Sequence, residues 1–225
     1  MDDISFIIQE LQDMGSEKFK AGLDRFGIKS SGSYGIRMPD LRAFAKTIGK
    51  NHELALQLWK TGQHETMILA TLIADKNQVT EVQMESWVKD FNSWDVCDQC
   101  IGNLFDKTPW AYEKAVEWSK RESEFEKRAG FAMMAMLAVH DKKVPNEAFT
   151  AFFPYIKKES LDNRNFVKKA VNWAIRQIGK RNLELNSKTI ELSRELLSLD
   201  TPAAKWIAKD AIKELESEKI QSRLN

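Results

Sequence analysis

An all-α fold, laid out as a stack of paired helices, is what this sequence predicts, on three observations. Apolar residues recur at helical intervals through nearly every segment, and strand-like alternation is almost absent. The connections between these segments are short, mostly two to five residues, so neighbouring helices are expected to pack antiparallel. Helix pairs return every 25 to 40 residues, which points to a helical-repeat solenoid of the HEAT type, with a compact all-α bundle as the competing arrangement.

Taken in order, helices are expected over 2–14 and 16–26. The run Lys29-Ser-Ser-Gly-Ser-Tyr-Gly35 follows, which suits a flexible loop or a short irregular helix. Pro39 opens a helix over 39–49, and helical periodicity then marks 51–60, 64–76 and 80–91. Ser93 is the expected N-cap of a helix over 94–106, and Pro109 opens 109–120. Ser123 with Glu126 three residues on has the pattern of a capping box for 124–139. Pro145 starts 145–158, and helices over 163–180 and 186–199 come next. Thr201 is the expected cap of 202–215, where Pro202 loses nothing by lacking an N–H. A short charged helix closes the chain, solvated over 213–225. No Pro/Gly/Ser-rich linker interrupts the series, so residues 1–225 read as one domain, with roughly the first 60 residues less regular.

Composition limits the function classes. At 225 residues with 43% hydrophobic and 30% charged residues, the chain can bury a core and keep a solvated surface. No apolar run approaches the ~20 residues that span a bilayer, and the acidic start lacks the apolar stretch of a secretory leader. Cys97 and Cys100 lack a second cysteine pair or a nearby histidine, so reduced, packed thiols in the cytoplasm are expected and structural zinc is not. His64-Glu65 is half of a zinc-protease motif, but position 68 is Ile and no second histidine follows, so no metal is expected there. His140 reads as a partner of a helix C-terminus. Met133, Met134 and Met136, with Trp59, Trp87, Trp110, Trp118 and Trp206, read as packing residues.

Charge is unevenly placed. The chain carries only +1 overall, yet residues 157–181 hold eight Lys/Arg against Glu159 and Asp162, about +6, leaving about −5 for the remainder. Within this stretch Val167, Ala170, Val171, Ala174 and Ile178 form a core stripe, while Phe166, Lys169, Trp173, Arg176 and Lys180 line another face. Aromatic rings among cations on a non-core face suit a polyanion that also carries flat rings, which favours nucleic acid. The near-neutral pI of about 7.7 makes that binding modest and salt-sensitive.

A second constellation lies in Phe91-Asn-Ser-Trp-Asp-Val-Cys-Asp-Gln-Cys100. Cys97, Cys100, Ile101 and Leu104 form the core stripe of this helix, and Asp95 falls almost opposite, toward solvent. Trp94 and Asp98, four apart, stack on one edge of the stripe. Two readings stand: Asp98 complements the helix dipole while Trp94 covers the core edge, or the pair stabilises a cation by charge and by cation–π attraction. Lys127 and Arg128 occupy the early turns of their helix, where helix stability would not select cations. Either an acid such as Glu124 pairs Arg128, or it has a functional role.

Four segments together resemble the DNA alkylation repair family, AlkD-like DNA glycosylases built from HEAT-like repeats. They are Gly35-Ile-Arg-Met-Pro-Asp-Leu-Arg42, Ser93-Trp-Asp-Val-Cys-Asp98, Lys127-Arg-Ala-Gly-Phe131 and Asn165-Phe-Val-Lys-Lys-Ala-Val-Asn-Trp-Ala-Ile-Arg176. The resemblance runs over most of the chain. It implies a single curved domain with a concave basic groove holding duplex DNA, and excision of positively charged N3- or N7-alkylated purines by a monomer without metal or nucleotide cofactor. The family's catalytic pair falls on Trp94 and Asp98, its arginine on Arg128 and its second tryptophan on Trp173. The residues then expected to meet DNA are Tyr34, Arg37, Lys127, Lys168, Lys169, Arg176, Lys180 and Arg181. Where better-studied members present bulky residues before the Gly-Ile-x-x-Pro segment, this chain has the small residues 29–34, with Tyr34 the sole aromatic. A non-catalytic relative that binds distorted or branched DNA, and a protein-interaction scaffold, are the alternative readings.

Overall fold

The computed structural model describes residues 3–224; Asp2, where the first expected helix begins, lies outside them. Among the described residues every regular element is a helix, and the chain forms two compact units that divide between Thr108 and Pro109.

The first unit comprises α1 (Ile4–Asp13), α2 (Glu17–Lys20), a 3-10 turn at Leu23–Phe26, α3 (Met38–Ile48), α4 (His52–Lys60), α5 (His64–Ile73), α6 (Glu81–Lys89), α7 (Trp94–Asn103) and a 3-10 turn at Phe105–Lys107. Helices α3, α5 and α7 pack side by side, and α4 packs on α5 and α1. Trp59 of α4 and Trp87 of α6 stack with ring centroids 3.9 Å apart, and the Trp59 indole donates to Asp90.

The second unit comprises α8 (Ala111–Ser119), α9 (Glu124–His140), α10 (Glu147–Thr150), α11 (Phe153–Glu159), α12 (Asn165–Gly179), α13 (Leu183–Leu197), α14 (Pro202–Leu215) and α15 (Glu218–Leu224). Here α9, α12 and α14 form one row and α8, α11 and α13 the other. A constant sequence separation links successive repeats. Arg128–Phe166, Lys157–Glu195, Asn172–Asp210 and Arg176–Glu214 all span 38 residues. In the first unit Trp59–Asp90 and His64–Asp95 span 31, and Asn103–Thr71 spans 32. Equivalent positions on neighbouring helix pairs therefore meet, as a repeat architecture requires.

The local chemistry explains most boundaries. The side chains of Asp3, Ser16, Asn51, Thr80, Asn182 and Thr201 cap their helices. The Asn182 cap starts α13 at Leu183, earlier than the expected 186. The expected helix over 16–26 breaks into α2 and a 3-10 turn ended by Gly27 at φ 73°, and 145–158 breaks into α10 and α11, where Pro154 begins a new helix. Ser123 stands at the N-cap of α9 without a side-chain cap bond, so the expected capping box does not form; Glu126 instead binds Arg121 at 2.9 Å. Gly130 lets α9 approach α8, since a Cβ there would stand 2.7 Å from Ser119 Cα and 2.8 Å from Ala115 O. Most expected packing residues are buried or half-buried. Trp206 departs from that reading: it is 40% exposed, with the Lys168 ammonium 5.0 Å from its ring centroid.

Candidate nucleic-acid interface

The opening turn of α7 carries the first group of expected site residues. Its core stripe forms as the periodicity requires: Cys97, Cys100, Ile101 and Leu104 are all fully buried. Burial pushes the Cys100 thiol well up, so it stays protonated and unreactive. Trp94 and Asp98 stand half-buried on the edge of that stripe, one turn apart. The Trp94 indole donates to Phe26 O at 2.8 Å, which fixes its ring against the 3-10 turn.

Asp95 corrects the expectation of a solvated side chain. It is only 13% exposed, and its Oδ2 lies 2.6 Å from His64 Nε2. The reason is the stacked architecture: α5 packs beside α7, so the face opposite the core stripe is not open to water.

His64 and Glu65 open α5, whose residues 65–71 are all buried. A carboxylate inside so apolar a helix must find donors. Glu65 finds them in the 33–36 segment: Oε1 accepts from Ser33 Oγ at 2.7 Å and from the N–H groups of Gly35 at 2.9 Å and Ile36 at 3.1 Å. Oε2 accepts from Tyr34 N–H at 2.9 Å. Gly35 turns at φ 78°, and a Cβ there would collide with Ser16 O and the Lys20 backbone. The small residues thus wrap a buried carboxylate. Burial alone would raise the Glu65 pKa, but nearby His64 and the donors from Ser33 and Tyr34 bring it down to about 2. Burial alone would lower that of His64, but Asp95 and Glu65 carry it up to about 9. At neutral pH the three groups are an imidazolium between two carboxylates. Among the described residues no three His, Cys, Asp or Glu side chains are grouped as a metal ion needs.

Tyr34 is half-buried, its hydroxyl pKa raised by burial and by Glu65, while Arg37 is exposed and pairs with Asp40 at 2.8 Å.

The remaining expected residues lie in the second unit. Arg128 of α9 is 5% exposed, and its Nη1 donates to Phe166 O at 2.8 Å. Lys127 is also buried, with its ammonium 2.6 Å from Glu159 and 3.5 Å from Asp162. It ties α9 to α11, so its charge is neutralised inside the unit. The core stripe of α12 is fully buried, and Phe166, Trp173, Arg176 and Lys180 are half-buried on the other face, with Lys169 exposed.

That face is less positive than its sequence. Arg176 binds Glu214 at 2.8 Å and lies 3.5 Å from Asp210, and Lys180 binds Glu214 at 3.0 Å. Arg181 lies over the Phe149 ring at 4.0 Å and donates to Ala138 O, a packing role. Lys169 makes no ion pair among the described residues, and Lys168 lies over Trp206. The acids that neutralise the stripe come from α14, 34 to 38 residues away, beyond the reach of a local charge count. The sequence reading also passed over the Glu65–His64–Asp95 network. The signal available was an acid inside an otherwise apolar helix.

Residues 7–215 match the family model described as DNA alkylation repair enzyme. An uncharacterized protein of Listeria innocua is 25% identical over 197 residues, covering 85% of each chain. An uncharacterized protein of Listeria monocytogenes is 24% identical over 198 residues, covering 84% of this chain and 85% of the other. Among solved structures, a member of a family related to the HEAT-like repeat DNA glycosylases, described as having affinity for branched DNA structures, superposes with a TM-score of 0.76. It is 21% identical and covers 94% of this chain and 95% of its own. The fold is accordingly that of the HEAT-like repeat proteins.

Proposed function

This chain belongs to the DNA alkylation repair enzyme family, and from that premise we propose that it is a DNA glycosylase excising positively charged N3- or N7-alkylated purines from duplex DNA. The observation that carries the reading is the pairing of Trp94 and Asp98, half-buried and one turn apart on an edge of α7. An alkylated purine cation leaves as a neutral base, so no general acid is needed for its departure. What develops is positive charge on an oxocarbenium-like sugar. A half-buried carboxylate beside an indole stabilises such a cation, and Asp98 also orients the attacking water. In the second unit Trp173 offers an aromatic face, and Arg128, buried and fixed by Phe166 O, adds to the positive potential of that unit without reaching a phosphate itself. Lys168 and Lys169, with Tyr34 and Arg37, hold the duplex through its backbone without reading sequence. The protein acts as a monomer in the cytoplasm and requires no metal or nucleotide cofactor.

One observation favours a second reading. With Arg176 and Lys180 bound to Glu214, the cation stripe has little charge to spare for a straight duplex. A weaker hold on duplex leaves room for a non-catalytic protein, and the solved relative is described as having affinity for branched DNA structures. Release of free base from duplex containing 7-methylguanine or 3-methyladenine separates the two. Excision predicts release, slowed about 10²–10³-fold by Asp98→Asn with DNA binding nearly unchanged. Binding to duplex or junction without release above background dismisses excision and leaves the branched-DNA reading.

A further inference from the structure

An indole on the first turn of a helix has no preceding turn to lean on, so the place of Trp94 must be set from elsewhere in the first unit. Ser93 stands at the N-cap of α7 without a side-chain cap bond, so that residue does not fix the helix start. Two ties run from this turn to other elements. The neighbouring Asp95 sets its Oδ2 2.6 Å from His64 Nε2 at the start of α5, while its Oδ1 accepts from Val96 N–H at 3.0 Å. The ring of Trp94 donates to Phe26 O at 2.8 Å, in the Leu23–Phe26 turn.

Both ties lead back to two adjacent residues. His64 holds the first directly, and Glu65 holds the second through the loop that follows Phe26. Ser30 donates to Asp24 from its N–H at 3.2 Å and from its hydroxyl at 2.8 Å, which closes residues 24–30 on themselves. The chain then enters the 33–36 segment, where Ser33 Oγ and the N–H groups of Tyr34, Gly35 and Ile36 all donate to Glu65. The His64 N–H adds a bond to Gly32 O at 2.9 Å. His64 Nδ1 and Glu65 Oε2 stand 3.7 Å apart, so the two supports meet at one ion pair. Glu65 is 1% exposed, and His64 and Asp95 are 13% each. Replacing a buried ion cluster by apolar side chains of similar volume is often neutral or stabilising, so fold stability alone does not account for three ionisable groups here. What charged hydrogen bonds add is direction.

We propose that His64 and Glu65 are positioning residues for Trp94: His64 fixes the turn of α7 that carries the indole, and Glu65 fixes the loop whose carbonyl the indole grips. Neither touches the reacting atoms, and both act through Trp94. The inference rests on the reading that Trp94 serves the excision site, and it adds what sets the place of the ring. A catalytic group misplaced by about 1 Å costs up to about 10²-fold in rate, so loosening either support slows base release without weakening the hold on DNA.

The test uses NMR on the whole chain, with the indole N–H signals of Trp94 and Trp59 assigned by Trp94→Phe and Trp59→Phe. Trp59 lies in the same unit and donates to Asp90, so it reports general loosening. In His64→Leu, exchange of the Trp94 indole N–H with water is expected to rise at least about tenfold, while that of Trp59 stays within about twofold. His64→Gln, whose amide can donate to Asp95, is expected to restore most of the difference. Glu65→Gln loosens the other support and is expected to accelerate Trp94 in the same sense, which keeps the test decisive if His64→Leu does not fold. With duplex containing 7-methylguanine at saturating protein, base release in His64→Leu is expected to slow about 10–100-fold, with duplex affinity within about twofold of the parent. An unchanged Trp94 signal in His64→Leu and Glu65→Gln, or equal acceleration of Trp94 and Trp59, overturns the assignment. So does a loss of release fully explained by lost affinity. If the parent releases no base, the excision reading fails, and the indole comparison still decides whether α5 sets the ring.

Discussion

Replacing Glu65 by Gln tests whether one carboxylate holds the 33–36 segment in place. The side chain is 1% exposed, so the substitution changes charge and one donor while volume and packing stay constant. If the amide oxygen takes the place of Oε1, the bonds from Ser33 Oγ, Gly35 N–H and Ile36 N–H survive without charge assistance. A hydrogen bond to a charged group is worth about 1.5–3 kcal/mol and a neutral one about 0.5–1.5, so each loses about 1 kcal/mol. The amide nitrogen then faces Tyr34 N–H, leaving a buried donor unpaired at a further cost of about 1–3 kcal/mol. The total is about 4–6 kcal/mol, confined first to the segment that Glu65 binds. Amide hydrogen exchange reads it directly. At about 1.4 kcal/mol per factor of ten, Tyr34, Gly35 and Ile36 should exchange about 10³–10⁴-fold faster in the variant, with α4 and α6 less affected. Exchange within tenfold of the parent at all three amides would refute the carboxylate as their anchor.

Further outcomes follow from the same geometry. His64 stays protonated in the fold to about pH 9 but titrates near 6.5 when unfolded, so its contribution is complete below 6.5 and is lost as pH rises through 9. The loss is about 3 kcal/mol, shared with the two carboxylates; urea denaturation at pH 6 and pH 10 measures it, and no decline would contradict the ion cluster. Gly130→Ala should destabilise the second unit by about 2–3 kcal/mol, because the new methyl meets the α8 backbone rather than a yielding side chain, and a melting temperature within 1–2 °C of the parent would refute that close approach. Glu214→Gln releases Lys180 and leaves Arg176 with Asp210 alone, so duplex affinity should rise and the salt dependence steepen by about one unit of log–log slope. Anisotropy titrations across NaCl concentrations check this, and an unchanged slope would remove that stripe from the DNA interface.

Short-range periodicity governs the part of the molecule that is legible in the chain alone. Helical recurrence and stereotyped caps mark the helices because each depends on residues three or four apart, which is why the buried faces of α7 and α12 were legible from Cys97 to Leu104 and from Val167 to Ile178. The edge placement of Trp94 and Asp98 followed from the same arithmetic. The tertiary structure decided the electrostatics. Whether a cation is available or neutralised depends on acids one repeat away: Glu214 for Arg176 and Lys180, Glu159 for Lys127. Asp95 was legible as the residue opposite a core stripe, yet the neighbouring helix covers that side and gives it His64. Residues 29–35 looked loose because they are small, and only the folded chain brings the Glu65 carboxylate to their amides. Side-chain periodicity is encoded along one helix, whereas charge pairing across 31 to 38 residues exists only once the repeats stack.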